Sequence, residues 1–542
     1  MNKRVFFTIM LIVLSILFSA CIYKEEEQSF TSNEDSSIIY MTESLPQGFS
    51  STLEGEEKYT YIYKGLFEGL VGKDQKGNII PVLAEACDIS DDGLQYTFTL
   101  RKDICYNTGE RITSDTFLNF FEELLHSSQE DKLAEGLKMV YGVLDYHKEN
   151  TSFQGVAIKA PDDDTLIFRM NYKDEGFLEA LAGAEYYLRP IDKVTSLIEN
   201  YKSISYTGAF YVSKLDDDTL RLSRSPYYHQ KQSRDNSDII ITQVQGGEEA
   251  LTAFNMGLCD IFQNPPLNQL PYLENQGAAV KTYSGSSYGI QFNMETTDIP
   301  FRRAIEKILT SSQAFYSLEG LEFSMFSHGN SFYPDKAYEG DSIFASGTQE
   351  NTVNKSYAKR QVLIGEGYFK ASLMEDKDKL YILSLDTERT RRIGGYIERS
   401  LEELLGVKVA ISYVSSDRLS SESRREDYSM VLYPVKAIKE EAYYLSFGNK
   451  DNPVLLKDEK YNRLVEEYNK GSNQDRSIII NSLKSYVEEN VIFLPLFYDF
   501  NVLCKSSEIQ ELVFDEEGSL MLKELYKDIE KEDNQDIKTP VG

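Results

Sequence analysis

The sequence contains no tryptophan, and histidine and cysteine are scarce, with four and five residues respectively among 542. With so few of these ligands, the chain has no spacing typical of a zinc site. Basic residues are also in deficit, because 57 lysines and arginines stand against 87 aspartates and glutamates, giving a net charge of −30. Nucleic acid requires a basic surface to contact its phosphates. Nucleic acid is therefore excluded as an expected partner.

Long hydrophobic runs are missing after the first residues of the chain. Lys3 and Arg4 precede a largely apolar run at 5–18, and Ser19-Ala20-Cys21 closes it. The run is shorter than the roughly 20 residues that span a bilayer, and its charged start and small-residue end are typical of a signal peptide. Cysteine at this place resembles the lipobox of bacterial lipoproteins, which implies removal of residues 1–20 and lipidation of Cys21. The alternative is an uncleaved signal anchor.

Catalytic motifs are almost absent: the chain has no Walker loop, no His-Glu-x-x-His and no dinucleotide fingerprint. One segment, residues 285–289 (GSSYG), fits the Gly-x-Ser-x-Gly pattern of a hydrolase elbow, with Ser287 as the nucleophile. That elbow needs a helix after the serine, whereas residues 290–293 continue as a strand pattern and only His328 follows as a triad histidine. We interpret the segment as a crossing between strands, and we expect no enzymatic activity, no metal and no cofactor. A hydrolase using Ser287 remains an alternative.

Strand and helix patterns alternate between polar ends, which indicates an α/β architecture. Residues 21–36 form a polar, acidic tether, and residues 526–542 form a charged, frayed tail. The pattern predicts strands at 37–41, 87–90, 95–101 and 491–500, and helices at 59–70, 113–125, 300–309, 356–365, 390–405 and 459–469. The string Asp-Asp-Asp-Thr-Leu occurs at 162–166 and 216–220. Both copies are interpreted as hairpin turns, because the ligand spacing of a calcium loop is missing.

Four cysteines follow Cys21, namely Cys87, Cys105, Cys259 and Cys504. A compartment outside the membrane permits disulfides, but the sequence does not determine the pairing. Cys87 and Cys105 flank one predicted hairpin and are the favoured pair. Four free thiols are an equally acceptable alternative.

Several segments, taken in order, resemble the solute-binding proteins of oligopeptide and dipeptide ABC importers, family 5 of the extracellular solute-binding proteins. The most specific block is residues 90–102, SDDGLQYTFTLRK, continued by NTGERIT at 107–113. Further similar segments are YKGLFEGL at 63–70, PVLAE at 81–85, YTGAFY at 206–211, SPYY at 225–228, residues 250–261, residues 288–293, RRAI at 302–305 and LPLFY at 494–498. The resemblance covers roughly residues 37–525.

The resemblance implies a periplasmic-binding-protein-like clamshell of type II, in the large three-domain oligopeptide-binding variety. Domain I would consist of residues 37–64, 185–285 and 490–525. Residues 65–184 would form an insert, domain II, and residues 286–489 would form domain III, the second lobe. A ligand would be buried when the two lobes close on it.

Two departures from the family pattern concern the ligand. Tryptophans of the family are replaced here by Cys87 and Tyr106, which reflects either genome composition or a remodelled cleft. Residues 430–445, MVLYPVKAIKEEAYYL, contain no aspartate where the family holds the ligand's amine. Lys436 and Lys439 occupy this region and would favour a carboxylate or phosphate. Alternatively, both lysines face water and Glu440 or Glu441 supplies the acceptor.

The sequence therefore predicts a lipid-anchored, monomeric substrate-binding protein on the extracytoplasmic face of a bacterial membrane. It would capture a peptide or related solute and deliver it to the permease and ATPase subunits of an ABC importer. The alternative is a degenerate family member acting as a receptor or regulatory lipoprotein. The residues expected to contact ligand are Glu43, Ser44 and Leu45 on the first strand, Tyr106, Tyr288, Asn293, Tyr433, Lys436, Lys439 and Tyr498.

Overall fold

A computed structural model of the chain describes residues 37–528 except for a set of internal segments. The omitted segments are 51–56, 128–135, 149, 174–175, 231–237, 313–324, 327–354, 425–427, 438–439, 449–451, 453, 455, 471–472 and 516–517. The predicted signal peptide, Cys21 and the tether at 21–36 lie outside the described residues, as do His328 and residues 529–542 of the predicted tail.

The described strands are short apart from two. They are β1 (Ile38–Thr42), β2 (Val71–Lys73), β3 (Ile79–Pro81), β4 (Ala84–Ile89), β5 (Gln95–Leu100), β6 (Ile158–Asp162), β7 (Thr165–Arg169), β8 (Phe210–Leu215), β9 (Thr219–Arg224), β10 (Ile239–Gln243), β11 (Ile261–Gln263), β12 (Ala279–Phe292), β13 (Met325–Phe326), β14 (Lys379–Leu385), β15 (Lys408–Val414), β16 (Met430–Lys436) and β17 (Phe493–Lys505). The predicted strands at 37–41, 95–101 and 491–500 correspond to β1, β5 and β17.

The described helices lie between these strands, so the predicted α/β class is confirmed. They are α1 (Thr60–Leu66), α2 (Ser114–Ser127), α3 (Val143–His147), α4 (Phe177–Leu181), α5 (Ile191–Val194), α6 (Leu197–Asn200), α7 (Gly247–Asn255), α8 (Leu270–Asn275), α9 (Ile299–Ser312), α10 (Lys355–Ala371), α11 (Glu388–Leu405), α12 (Ser416–Glu422), α13 (Glu440–Ser446), α14 (Glu459–Lys470) and α15 (Asn473–Asn490). The helix predicted at 59–70 is shorter than expected, because the backbone becomes extended at Phe67.

One large sheet contains eleven strands in the order β15-β14-β16-β12-β17-β11-β1-β10-β9-β8, with β13 paired to β17. Strand β1 lies inside the sheet, parallel to both β10 and β11, and its burial is typical of such a central strand. Strands β12 and β17 are the longest and run antiparallel beside each other. These two strands connect the half of the sheet that contains β1 with the half that contains β14.

A separate four-stranded sheet, β4-β5-β7-β6, lies within residues 84–169. In β5 the side chains alternate, with Tyr96, Phe98 and Leu100 buried, as expected for a sheet with one face on a core. Helix α2 packs its phenylalanines into the same buried cluster, which extends from Leu70 to Ile191. This region therefore has a hydrophobic core of its own, while the predicted domain boundaries stay a prediction.

Helix α11 shows how local sequence sets the ends of an element. Thr387 is the N-cap: its side chain accepts from the backbone N–H of Thr390, and the Thr390 side chain bonds back to the backbone of Thr387. Gly406 ends the helix with φ of 74°, a left-handed conformation that glycine adopts without steric cost. The predicted stop at Gly406 is therefore confirmed, and the helix begins two residues before the predicted start.

Both Asp-Asp-Asp-Thr-Leu segments lie in antiparallel hairpins, one between β6 and β7 and one between β8 and β9. Within the described part of the chain, no group of three or more histidine, cysteine or acidic side chains is arranged to hold a metal ion. Cys87, Cys105, Cys259 and Cys504 are all free thiols, so the favoured Cys87–Cys105 disulfide is not present. None of the described helices has the length and apolar character needed to cross a membrane.

The start of the predicted tail is packed rather than frayed. The backbone carbonyl of Tyr526 accepts from Gln510 at 3.2 Å, and Lys527 Nζ lies 2.9 Å from the buried carboxylate of Asp260. Asp260 also accepts from the backbone N–H of Ile39 at 2.8 Å. Through Asp260, the ion pair therefore holds Lys527 against the central strand β1. The packed part of the chain thus extends further than its charged composition indicated.

Candidate functional site

Strands β12 and β17 lose their regular pairing at two places, and the larger irregularity lies in β12. Pairing ends at Tyr283 and resumes at Ser287, so that residues 284–286 of β12 face a single residue of β17, Asp499. Gly285 has φ of 73°, which is accessible to glycine at little cost. An insertion of this kind is a β-bulge, which bends a strand and increases its twist. The bulge lies where the two halves of the large sheet meet.

An open cleft of about 790 Å³ lies next to Tyr288, directly after the bulge. One wall comes from the end of β1, the start of α7 and the loop after β11, and the other comes from Tyr288 and the start of α11. Helices α7 and α11 pack into different hydrophobic cores, so the cleft lies between two separately packed parts of the molecule. The polar residues that line it include Glu43, Glu248, Asn264, Tyr288, Arg389 and Arg392.

Arg389 forms an ion pair with Asp499 at the bulge. Its Nη2 donates to the carbonyl oxygen of Phe500 at 3.4 Å, and its side chain also hydrogen-bonds to the hydroxyl of Tyr288. Ser284, in the bulge, hydrogen-bonds to the Asp499 carboxylate. The Arg389 side chain is 23% exposed, whereas that of Asp499 is 10% exposed. The guanidinium therefore lines the cleft in a fixed orientation, with the carboxylate behind it.

Burial dominates the electrostatics of this cluster. Desolvation raises the pKa of Asp499 above its ordinary value, and the positive charge of Arg389 opposes part of that rise. Desolvation likewise raises the pKa of Tyr288 to about 12, with the negative charge of Asp499 adding to the rise and Arg389 opposing it. A buried carboxylate is expensive unless it is paired. The Arg389–Asp499 pair therefore neutralises a charge that the fold would otherwise bury alone.

The structure places two of the predicted ligand contacts, Glu43 and Tyr288, at this cleft. Ser44 and Leu45 follow the first strand rather than lying on it, since β1 ends at Thr42. The hydroxyl of Tyr59 donates to the backbone carbonyl of Leu45 at 3.0 Å and lies 3.0 Å from Ser44 Oγ. Strands β10 and β11 flank β1 on both sides, so a ligand backbone would have to pair with residues 43–45 beyond the end of the strand, and such pairing stays a prediction.

Three other predicted contacts pack against the interior, two of them fully buried and one half-buried. Tyr433 is 1% exposed; its hydroxyl donates to Gln291 Oε1 at 2.5 Å and accepts from Asn452 Nδ2 at 3.2 Å. Tyr498 is 2% exposed. Tyr106 is half-buried against the core of the separate four-stranded sheet, and burial raises its pKa to about 12, with Glu110 contributing. A ligand role for these tyrosines stays a prediction.

Asn293 lies in a second, smaller cavity of about 340 Å³, where Nδ2 donates to the carbonyl oxygen of Tyr428 at 3.1 Å. Lys436 is exposed at the end of β16, opposite Ser286 in the bulge, and is not among the residues that line the larger cleft. Lys439 lies outside the described residues. Recognition of a ligand carboxylate by either lysine stays a prediction.

Sequence reasoning did not identify three residues that form much of the cleft and its support, namely Arg389, Asp499 and Glu248. Asp499 carried a signal, because it is the one acidic residue in the apolar run at 491–500. Arg389 lies one residue before the predicted start of its helix, where it had no feature to distinguish it. Ser287 is fully buried within β12, which continues to Phe292. The hydrolase elbow is therefore contradicted, since no helix follows the serine.

Comparison with known proteins identifies the family. The model of the bacterial extracellular solute-binding proteins, family 5, matches residues 78–450. The chain belongs to this family. The predicted resemblance is thereby confirmed, and the family is one of substrate-binding proteins rather than enzymes.

Two curated oligopeptide-binding proteins match part of the chain. Oligopeptide-binding protein SarA of Streptococcus gordonii is 27% identical over 237 residues, covering 41% of this chain and 35% of that protein. Oligopeptide-binding protein AliB of Streptococcus pneumoniae is 29% identical over 265 residues, covering 46% of this chain and 39% of that protein. The matched region thus spans between a third and two fifths of each relative's length.

The fold matches that of a solved peptide complex along most of the chain. The structure of Haemophilus influenzae OppA in complex with the peptide RPPGFSPFR superimposes with a TM-score of 0.63 and 15% identity, covering 91% of this chain and 99% of that chain. Similarity at this low identity shows the fold alone. The predicted periplasmic-binding-protein-like clamshell is confirmed.

Proposed function

We propose that this protein captures a peptide or related solute in the cleft next to Tyr288 and delivers it to an ABC importer. The observation that carries the proposal is the position of the cleft between two separately packed cores, beside the bulge in β12, one of the two connecting strands. Membership of family 5 and the description of its relatives as oligopeptide-binding proteins support the same function.

Capture would proceed by closure of the two walls on the ligand. The bulge at residues 284–286 provides a place where β12 and β17 can bend without breaking the ladder on either side. A ligand that contacts both walls binds the closed state better and shifts the population toward it. The importer would then recognise the closed, loaded form. No covalent bond is made or broken in this cycle, and the protein acts without catalysis.

A lipid anchor would attach the protein to the membrane. Lipidation at Cys21 would hold the protein on the extracytoplasmic face of the membrane, with residues 21–36 as the tether. More than one acyl chain provides stable attachment, because each buried methylene contributes about 0.8 kcal/mol. The monomer would present its ligand to the permease, and the ATPase subunits would drive transport. Domain II, at 65–184, would accompany domain I during closure.

A thermal-shift experiment with a mixed tryptic peptide pool tests this function. The protein is first stripped of carried-over ligand and shown to be folded. Binding to the native state alone stabilises it by about 2.7 kcal/mol at a ligand concentration 100-fold above the dissociation constant, so we expect the melting temperature to rise. Single non-peptide solutes serve as comparison ligands.

Two matched substitutions locate the binding place. Asn268 is exposed and lines the cleft, whereas Asn275 is exposed on α8 and does not. Asn268→Trp fills part of the cleft and should abolish the shift, while Asn275→Trp should leave it unchanged. The absence of any shift with the unsubstituted protein would refute peptide capture and favour the receptor alternative.

A further inference from the structure

Strand β15 forms one edge of the large sheet. Within the described part of the chain it pairs only with β14, in parallel. On that side, Lys408 N–H donates to the carbonyl oxygen of Asp378 at 2.8 Å. Backbone groups alternate in direction along a strand, so every second residue after Lys408 bonds toward β14 and the residues between them direct their backbone groups outward. The outward residues are Val409, Ile411 and Tyr413.

One of these three outward N–H groups has an acceptor among the described residues. Val409 N–H donates to Glu402 Oε1 at 3.2 Å. The N–H groups of Ile411 and Tyr413 meet no acceptor in the part of the chain that the structure describes. Unpaired backbone groups on an edge strand are a template for pairing with another chain.

The opposite edge of the sheet differs from this one. Strand β8 has a shift in register against β9, a bulge between Val212 and Lys214. Bulges and lysines are the devices by which proteins blunt an edge strand. Strand β15 keeps a regular register throughout and has its one lysine at the first position. A regular edge of seven residues is thus suited to the addition of a strand from another chain.

The face of this edge that lies under α11 is acidic. Glu402 reaches the edge backbone, and Glu398, one turn earlier, acts electrostatically on Tyr413. Both glutamates are exposed. Arg391 lies over the Tyr413 ring at 4.5 Å, but it is held by both carboxylate oxygens of Asp386 at 2.7 and 2.9 Å. An added strand therefore meets two carboxylates and one neutralised guanidinium on this face.

The other face of the edge is small and partly apolar. Its side chains, Lys408, Ala410 and Ser412, are exposed. Tyr381 lies opposite Ala410 on β14 and is 40% exposed. Directly opposed residues of neighbouring strands project to the same face and contact each other. An apolar side chain from an added strand would therefore lie beside Ala410 and cover part of the Tyr381 ring.

We infer that the β15 edge is a docking surface for an extended segment of another protein, in which basic side chains alternate with apolar ones. The basic side chains would face Glu398 and Glu402, and the apolar ones would cover Ala410 and Tyr381. The net charge of −30 favours a basic partner over a second copy of this acidic chain. Among the described residues that line the cleft next to Tyr288, none belongs to β15, so this surface is separate from the cleft.

Hydrogen exchange read at single amides tests the inference. The probe is an end-blocked peptide as long as β15, seven residues, that alternates lysine and valine. At about ten times its dissociation constant, exchange of the Ile411 and Tyr413 N–H groups should slow about tenfold, because only the unbound fraction exchanges. Exchange of Ala410, which bonds toward β14, should change little. The measurement is repeated on Asn268→Trp, whose filled cleft prevents capture of the probe there from imitating docking. Absence of binding, or unchanged exchange at Ile411 and Tyr413, overturns the inference.

Matched probes separate backbone pairing from attraction between charges. Alternate backbone nitrogens of a strand point to the same side, so N-methylation of the lysines and N-methylation of the valines block opposite edges of the peptide. One methylated peptide should bind at least tenfold more weakly and the other should keep its affinity, whereas equal affinities overturn strand addition. A peptide that alternates glutamate and valine should bind about threefold or more weakly than the lysine peptide. Equal binding of these two overturns the choice of a basic partner.

Two substitutions at one position test the edge itself. Ile411→Pro removes an outward N–H at a place where an edge strand tolerates proline, and it should abolish the protection of Tyr413. Ile411→Val keeps the N–H and should bind the probe as the unsubstituted protein does. Retained binding in Ile411→Pro overturns the inference, and the methylated probes provide the same test on the unsubstituted protein if this variant does not fold. A dimer of the free protein that dissociates in Ile411→Pro assigns the edge to a second copy and overturns the basic partner.

Discussion

At the residue scale, the ion pair of Arg389 and Asp499 fixes the orientation of the guanidinium that lines the cleft. Sequence comparison directed attention to Lys436 and Lys439, because they lie where the family places an aspartate. The structure instead puts a buried carboxylate on β17 and an arginine from α11 at the bulge. Two residues separated by 110 positions leave no local pattern, so only their tertiary contact reveals the pair.

The pair predicts a pH-dependent loss of stability in Arg389→Gln. Removing one partner leaves the Asp499 carboxylate buried, which costs about 3–5 kcal/mol for a fully buried pair. We expect about 2 kcal/mol at neutral pH, because Arg389 is partly exposed. Burial already raises the pKa of Asp499, and loss of Arg389 raises it further. The deficit should therefore shrink on acidification, as Asp499 becomes protonated, and grow as the pH rises.

Denaturant unfolding across a pH series measures this effect. Arg389→Gln/Asp499→Asn serves as the control, since removing both charges should recover much of the lost free energy of unfolding. A deficit that does not change with pH would mean that Arg389 stabilises the fold through packing rather than through its charge.

At the element scale, α11 presents Arg389 to the cleft, and its first turn depends on one reciprocal pair of hydrogen bonds. Thr387 and Thr390 satisfy each other's backbone and side chain, and the Thr390 hydroxyl also reaches the carbonyl of Leu385 at the end of β14. These bonds fix where the helix begins. They therefore also fix where Arg389 emerges, immediately inside that first turn.

Thr387→Ala should lower the free energy of unfolding by about 1 kcal/mol, the usual cost of losing an N-cap side chain. The same change frays the turn that presents Arg389, so it should also reduce the rise in melting temperature caused by the tryptic peptide pool. Ser196→Ala is the matched control, because Ser196 is the N-cap of α6 but its side chain makes no capping hydrogen bond. Equal losses in the two variants, measured by urea unfolding, would contradict the capping role of Thr387.

At the scale of the whole molecule, distant segments converge on buried Glu68, between α1 and β2. Tyr228 donates to one carboxylate oxygen at 2.7 Å, His229 Nε2 lies 2.9 Å from the other, and Lys523 approaches to 3.7 Å. Burial alone would raise the pKa of Glu68, but the hydrogen bond with His229, the charge of Lys523 and the Tyr228 hydroxyl hold it below its ordinary value of 4.5. Glu68 thus joins the start of the predicted insert to the end of the chain.

Glu68→Gln should therefore make stability less dependent on acid pH. A lowered native pKa contributes stability that is present above pH 4.5 and disappears as the pH falls through the native value. We expect the variant to lose about 1–3 kcal/mol at neutral pH and to approach the unsubstituted protein as the pH falls below 4.5 through the native pKa of Glu68. Thermal unfolding at a series of pH values measures both effects. Glu85→Gln, at an exposed glutamate, should neither lose stability at neutral pH nor change its dependence on acid pH. If Glu85→Gln changes stability as Glu68→Gln does, the buried network around Glu68 does not cause the effect.

Local pattern was sufficient for the α/β class, most element positions and the family, because alternation, helical spacing, caps and glycine stops act within a few residues. Buried Phe117 and Phe121 in α2, alternating Tyr96 and Phe98 in β5, and the stop at Gly406 all follow from such short-range rules. The cleft does not. Its charged residues come from separate segments, and side-chain exposure, ion pairing and the bulge opposite Asp499 arise only when β12 and β17 pair. Tertiary packing alone therefore decided that Tyr433 is internal, that β1 has no free edge, and that Arg389 lines the cleft.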